Sequence, residues 1–326
     1  MKKIVKIITV LICLMMLFGC SNKKSENSIV IWTSGEDYKN EFYLSSLKKK
    51  FPEYDITLEY MNSSTIAAKI LEEGKDCEAD IILSEEYGYL VMCEDYLATL
   101  DDFNYSVFLD EIVPSNKKYT PELKNGGAII LNTDVLKEKG LKEPTSYQDL
   151  LDPSYKDLIA MPSPASSGTG YMFLRQLTNE WGEDEAFAYF EKLTNNILQY
   201  SSSGSGPVNS LVQGEVAIGL GMISQAVEEI NQGVNLKIVF FEEGAPYSMY
   251  GNAILSSSYD NEKVKEVFNY LSTELVKQNN VLYFPDQIFK DFIPNKNNYP
   301  RDVKYGNMSN DTKEEKERLL SRWTLS

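Results

Sequence analysis

Residues 157–178 read DLIAMPSPASSGTGYMFLRQLT, and their order decides what kind of fold the chain builds. Asp157 to Met161 is a short apolar run stopped by Pro162 and reads as a strand; Met172 to Thr178 has helical spacing; Ser166-Ser167-Gly168-Thr169-Gly170-Tyr171 joins the two. A strand passing directly into a helix is the unit of an α/β fold, whose crossover connections make strands parallel and gather ligands at their carboxyl ends. The joining residues have the composition of an anion cup. Ser166, Ser167 and Thr169 bring hydroxyl donors, Gly168 and Gly170 let backbone amides approach closely, and the helix start adds unsatisfied N–H groups with a partial positive charge. The competing reading is a plain helix cap by Ser167 or Thr169, which needs only one such residue and leaves two glycines as a stability cost.

The same alternation extends in both directions. Upstream, Ser28 to Trp32, Ile56 to Tyr60 and Asp80 to Leu83 read as strands, separated by helical stretches Asn40 to Lys50 and Thr65 to Glu73. Downstream, Asn196 to Tyr200, Val216 to Leu220 and Lys237 to Phe241 read as further strands. Helix Glu183 to Leu193 puts Phe187, Phe190 and Leu193 on one face, and Lys263 to Lys277 does the same with Val264, Val267, Phe268, Leu271 and Leu275. These stripes face a core.

At the beginning of the chain, Lys2, Lys3 and Lys6 precede an apolar run from Ile7 to Phe18 that stops at Gly19-Cys20. The run is short for a membrane span and reads as a signal peptide over 1–19. Leu17-Phe18-Gly19-Cys20 resembles a bacterial lipobox, which implies a lipid on Cys20, a tether over 20–28, and a mature protein held on the extracytoplasmic face of the cell membrane. Removing 1–19 leaves 307 residues, enough for two lobes of about 150, and takes away three lysines. The remaining 29 basic and 48 acidic residues carry a formal −19. That balance argues against nucleic acid as a partner, since phosphate backbones require clustered Lys and Arg. It leaves room for a small anion held by amides and hydroxyls. There is no histidine, which removes the Ser-His-Asp and Cys-His schemes and the commonest zinc ligand. Cys77 and Cys93 remain for the folded part, either as a disulfide or as two buried thiols.

Further candidates for a site stand at other predicted strand ends. Thr33-Ser34-Gly35 follows the first strand, Asn62-Ser63-Ser64-Thr65 the second, and Glu85-Glu86 the third. A second serine and glycine cluster, with Ser203, Gly204 and Ser205, precedes Pro207 and reads as the other half of a cup or as a flexible turn. Glu243 sits before a return segment, and Tyr247, Tyr250 and Tyr38 are candidate walls. For the adjacent pair Glu85-Glu86, solvation of at least one is the plainer reading.

Five pieces in order, Asn132-Thr133-Asp134, YQDLLDPSYKDL from Tyr147, Pro162 to Tyr171, Gly214 to Gly219, and Glu243-Gly244 leading to Asn252-Ala253-Ile254-Leu255, resemble the iron(III), thiamine, hexose-phosphate and 2-aminoethylphosphonate binding proteins of ABC importers. The resemblance implies a two-lobed type II periplasmic-binding-protein fold with two mainly parallel sheets joined by a crossing-strand hinge. Lys124 to Leu131 would cross outward and Ala245 to Ile254 would return. Lobe 1 would then hold 28–125 plus 250–280, lobe 2 would hold 126–249, and 281–326 would be a C-terminal helical segment packed on both.

It further implies a monomeric substrate-binding lipoprotein, without cofactor, metal or catalytic activity, that hands a small anionic solute to permease and ATPase subunits. The iron-binding branch places paired tyrosines where this chain has Gly221-Met222-Ile223-Ser224-Gln225, and often a histidine besides. Iron is thereby demoted, with iron or thiamine kept as the alternative cargo, and SSGTGY looks closer to branches that bind phosphonates or phosphate esters. From other classes, a surface hydrolase using Ser167 lacks a base and a Gly-x-Ser-x-Gly elbow, and a non-transport structural lipoprotein is the remaining option.

Overall fold

The computed structural model describes residues 27–325 except 294, 302, 310 and 311; the expected signal peptide, Cys20 and nearly all of the tether lie outside them. The first lobe begins with β1 (Ser28–Thr33), α1 (Asp37–Lys50), β2 (Asp55–Tyr60), α2 (Ser63–Glu73), β3 (Ile81–Glu86) and the short α3 (Tyr87–Met92). β1 lies between β2 and β3, parallel to both. The alternating side chains of β1 and β3 are largely buried on both faces, as crossover helices require, while the edge strand β2 is mostly exposed. Ile29, Ile31 and Leu83 pack with Tyr43 and Leu47 of α1 on one side, and Trp32 and Ile82 pack with Ile66 and Ile70 of α2 on the other.

The long β4 (Thr120–Asn132) leaves this lobe. Past α4 (Thr133–Glu138), the second lobe is built from β5 (Ile159–Pro162), α5 (Gly168–Trp181), α6 (Glu183–Leu193), β6 (Ile197–Ser201), α7 (Gly206–Val212), β7 (Ile218–Met222), α8 (Ile223–Asn231) and β8 (Leu236–Val239). β9 (Tyr247–Ile254) then returns to the first lobe. Thr120 to Gly126 of β4 pair with β9, whereas Gly127 to Asn132 pair with β7 and β8. One strand therefore belongs to both sheets. The hydrogen-bonded order runs β2-β1-β3-β9-β4-β7-β5-β6, with β8 also on β4.

The sheets are mixed rather than mainly parallel. Four strand pairs are parallel and four antiparallel. The reason is the hinge itself: β4 and β9 cross it in opposite senses, so each is antiparallel to its neighbours. Gly127 stands at the crossing with no room for a side chain, since a Cβ would lie 2.6 Å from Met172 Cε and 2.9 Å from a Pro246 carbon.

After β9 come α9 (Glu262–Tyr270), a π-helical turn (Leu271–Leu275) and α10 (Val276–Leu282), and the chain closes with α11 (Lys313–Leu325). The expected helical segment over 281–326 is mostly irregular. Pro285, Pro300 and the Asn-rich stretch around Asn295 oppose helix, which resumes only at Lys313. Cys77 and Cys93 are free, buried thiols, not a disulfide; burial pushes them up to about 11 and about 12. No helix among the described residues is long and apolar enough to cross a membrane.

Candidate functional site

The carboxyl ends of β1, β2, β5 and β6 meet between the lobes, and the loops that follow them line an inner pocket. From the first lobe come Ser34, Glu36, Lys39, Tyr60, Asn62 and Ser63, with Leu123, Asn125, Tyr250 and Phe284 as floor; from the second come Ser166 to Thr169 and Ser202 to Gly204. The starts of α1, α2 and α5 all point here. Their first N–H groups have no intrahelical acceptor, so the pocket is surrounded by donors before any side chain is counted.

Local sequence explains each contribution. Asn62 caps α2 by accepting from Thr65 N at 2.9 Å, which leaves Ser63 in the first turn, buried at the pocket. Ser167 is the N-cap of α5 and accepts from Gly170 N at 3.5 Å, the limit of a hydrogen bond. Its hydroxyl proton is thus uncommitted by the cap. Thr169 is 2% exposed, and Thr169 and Ser203 of the second lobe line the pocket together with Tyr250 and Tyr60 of the first. Gly168 lies flush against the first lobe: a Cβ would sit 2.9 Å from both Tyr250 Oη and Glu86 Cβ. Gly204 is equally constrained, 2.4 Å from Thr169 Oγ1 by the same measure. The lobes close on glycine at Gly168, whereas Gly204 is fitted against its own lobe.

Ser34 is positioned by strain. Where β3 bulges against β9, Ser84 takes φ 57, a left-handed conformation costly for a residue with a Cβ. It is held there by Asn252 Oδ1 on its N–H at 3.0 Å and by Glu122 Oε1, which accepts its hydroxyl at 2.7 Å. The freed carbonyl accepts the Ser34 hydroxyl at 2.5 Å. In this conformation Ser34 offers the pocket lone pairs rather than a proton.

The charges beneath the pocket are buried and paired, Lys39 within the first lobe and Glu86 with the C-terminal helix. Lys39 stands 3.4 Å from Glu36, 3.8 Å from Glu122 and 4.9 Å from the Phe284 ring centre. Burial raises the Glu122 carboxyl against the pull of Lys39. Behind the α5 start, Glu86 pairs with Lys316 of α11, both fully buried, with Lys316 Nζ 3.6 Å from the Tyr89 ring centre and 4.1 Å from that of Tyr171. Neighbouring Glu85 is pushed up to about 8 by burial, the Ser63 hydroxyl and Lys316 opposing.

The structure brings Ser34, Ser63, Ser166, Ser167, Gly168, Thr169, Ser203 and Gly204 together on one pocket, with Ser205 on an adjoining outer cavity of about 640 Å³. Other candidates stand elsewhere. Gly35 backs the pocket against Asn40 and Lys39, and Gly170 packs against the Pro162 to Pro164 backbone. Ser64 bonds Asn62, Tyr171 turns to Lys316, and Glu85 lies under Ser63. Glu243 only offers its carbonyl to Gln176, and Tyr247 packs on Tyr305 and Lys124 at the hinge. Glu85 and Glu86, of which the plainer reading puts at least one in solvent, are 1% and 0% exposed. Sequence reasoning missed Glu36, Lys39, Tyr60, Asn125 and Phe284. A lysine one turn into a helix carries no signal of its partners, and Phe284 arrives from a segment after the return crossing.

Residues 79–304 match the family described as bacterial extracellular solute-binding protein. An uncharacterized protein of Haemophilus influenzae is 27% identical over 76% of this chain and 72% of its own. A putative 2-aminoethylphosphonate-binding periplasmic protein of Salmonella typhimurium is 25% identical over 66% of this chain and 64% of its own. Among solved structures, the periplasmic binding protein AfuA from Actinobacillus pleuropneumoniae, with fructose-6-phosphate bound, superposes with TM-score 0.82 at 23% identity, covering 91% of this chain and 97% of that one. Two lobes joined by crossing strands, with the pocket between them, make this a type II periplasmic-binding-protein fold. The chain belongs to the bacterial extracellular solute-binding proteins, the family whose members carry small solutes to ABC importers and are not enzymes.

Proposed function

We propose that this protein captures a small solute bearing a phosphonyl or phosphoryl group and delivers it to its permease and ATPase as a monomeric lipoprotein anchored through Cys20. The observation that carries the reading is the lining of the inner pocket. Serine and threonine hydroxyls and helix starts from both lobes converge on it, an arrangement suited to a tetrahedral anion in a chain that is acidic overall. Two relatives point the same way: one is named for 2-aminoethylphosphonate, and one structure holds fructose-6-phosphate. The inner pocket has a volume of about 30 Å³, room for no more than a few water molecules. Admitting the anion therefore means letting the lobes part about the β4 and β9 crossing. In this reading the boundaries fall near 125/126 and 249/250.

The test is Thr169→Val, with affinity measured by calorimetry against a panel of phosphonates and phosphate esters. One hydroxyl bond to a charged oxygen contributes about 1.5–3 kcal/mol, so binding should weaken roughly ten- to a hundredfold. If no member of the panel binds the unmodified protein, or if Thr169→Val leaves every affinity unchanged while lowering the ligand-free melting temperature, Thr169 serves the fold and the reading fails.

A further inference from the structure

The outer cavity, about 640 Å³ and continuous with the inner pocket through Ser34, Tyr60 and Ser203, has the opposite chemistry. Four carboxylates line it, Glu36 and Asp37 from the first lobe and Glu228 and Glu229 from the second, and no lysine or arginine is among its lining residues. Two of the four are balanced from behind, Glu36 by Lys39 and Glu228 by Lys296. Asp37 and Glu229 remain, one from each lobe, on the wall of the cavity.

A solvated acidic rim is the ordinary explanation of such a cluster, and for Asp37 local structure suffices, since an acid in the first turn of a helix is favoured by the dipole. It does not suffice for the second lobe. Glu228 and Glu229 occupy the last turn of α8, which contains no basic residue, where the dipole disfavours them. An independent feature stands beside them. Gln225, 6% exposed, lines the same cavity, and its Nε2 is committed to the Ser205 carbonyl at 3.3 Å and Asn209 Oδ1 at 2.9 Å. That orientation leaves Oε1 as a buried acceptor with no donor among the described residues. The Tyr38 hydroxyl on the facing wall likewise has none. A buried acceptor flanked by carboxylates from both lobes is completed by a cation with several N–H donors.

We infer that the outer cavity is an ammonium subsite, with Gln225 Oε1, Glu229 and Asp37 as its ligands, and that the solute is an amine-bearing phosphonate or phosphate ester rather than a sugar phosphate. This rests on the anion reading of the inner pocket. The amine arm selects among solutes that the cup alone would hold alike, and because its ligands come from both lobes, it also favours closure.

The experiment compares 2-aminoethylphosphonate with ethylphosphonate, its counterpart without the amine, by calorimetry on residues 27–326. The aminated ligand should bind at least tenfold more tightly. In Asp37→Asn/Glu229→Gln that ratio should fall below threefold, with the ligand-free melting temperature checking that the variant is folded. Equal affinity of the two ligands for the unmodified protein, or a ratio that survives in the variant, overturns the ammonium subsite and leaves the anion cup standing. Failure of both ligands, of glucose 6-phosphate and of inorganic phosphate to bind overturns the cup, and the subsite with it.

Discussion

Glu85→Gln should make the protein more stable near neutral pH, and the gain should grow with pH. The Glu85 side chain is 1% exposed and burial pushes its carboxyl up to about 8 from an ordinary 4.5. Between those values the native state holds a proton that the unfolded chain has released. Stability contributed by this group is therefore fully present below about pH 4.5 and is lost as pH rises through about 8. At about 1.36 kcal/mol per pH unit, the loss by pH 7 amounts to roughly 3 kcal/mol. Glutamine keeps the shape, and its amide oxygen still accepts the Glu86 N–H that Glu85 Oε1 accepts at 3.0 Å. Urea unfolding of the two proteins at intervals from pH 5 to pH 9 measures the difference directly. It should begin near zero and rise to a plateau above pH 8, with the denaturant slope unchanged. Glu122 is raised by burial too and tilts both curves in the same sense, so the quantity to follow is the difference between the proteins. A difference that stays constant from pH 5 to pH 9 would refute a protonated Glu85.

Gly168→Ala places a methyl group against Tyr250 Oη and Glu86 Cβ, both on the opposite lobe. It should weaken solute binding about tenfold or more while each lobe keeps its fold; calorimetry with a ligand found for the unmodified protein, set beside the melting curve without it, separates the two effects. Cys20→Ser should abolish fatty-acid labelling in cells without altering the affinity of the soluble domain, and a variant that still takes up labelled palmitate would remove the lipid anchor from Cys20.

The fold was legible where local pattern and tertiary requirement coincide. β1, β2, α6 and the two crossing segments lie within a few residues of their sequence reading, because apolar periodicity and core burial select the same residues. α1 and α2 begin earlier than their apolar patterns do, since their first turns face the cleft and carry polar side chains. α5 also begins earlier, at Gly168 rather than near Met172. There the glycines that look unhelical are required by close packing: the facing lobe leaves no space for a Cβ at Gly168, and the Pro162 to Pro164 backbone leaves none at Gly170. Strand direction was less legible. The reading of mainly parallel sheets took the α/β alternation at face value, whereas a strand that passes between lobes must meet its returning partner antiparallel.

For the site, hydroxyl clusters at strand ends were visible because their residue types are unusual together, and the charges were not, because each depends on a distant partner. Glu85-Glu86 illustrates the difficulty. An adjacent acidic pair after a strand reads as solvent-facing, and two carboxylates left unpaired in the interior would be untenable. Glu85 is buried as the neutral acid, and what permits the burial of Glu86 is Lys316, 230 residues later, whose ammonium lies against Tyr89 of one lobe and Tyr171 of the other. A buried charge whose partner is removed costs far more than an exposed pair contributes, so α11 is needed to complete the wall behind the cup. That helix is fastened to the second lobe by Arg318 and Arg322 on Glu183 and by Trp323 against Phe190. The buried Glu86–Lys316 pair therefore spans the lobes on the side of the cleft behind α5. Parting the lobes there exposes or separates two matched charges, whereas at the mouth lined by Tyr60 and Ser203 it separates uncharged hydroxyl groups. The difference favours opening at the mouth, where Asp37 and Glu229 line the outer cavity from opposite lobes.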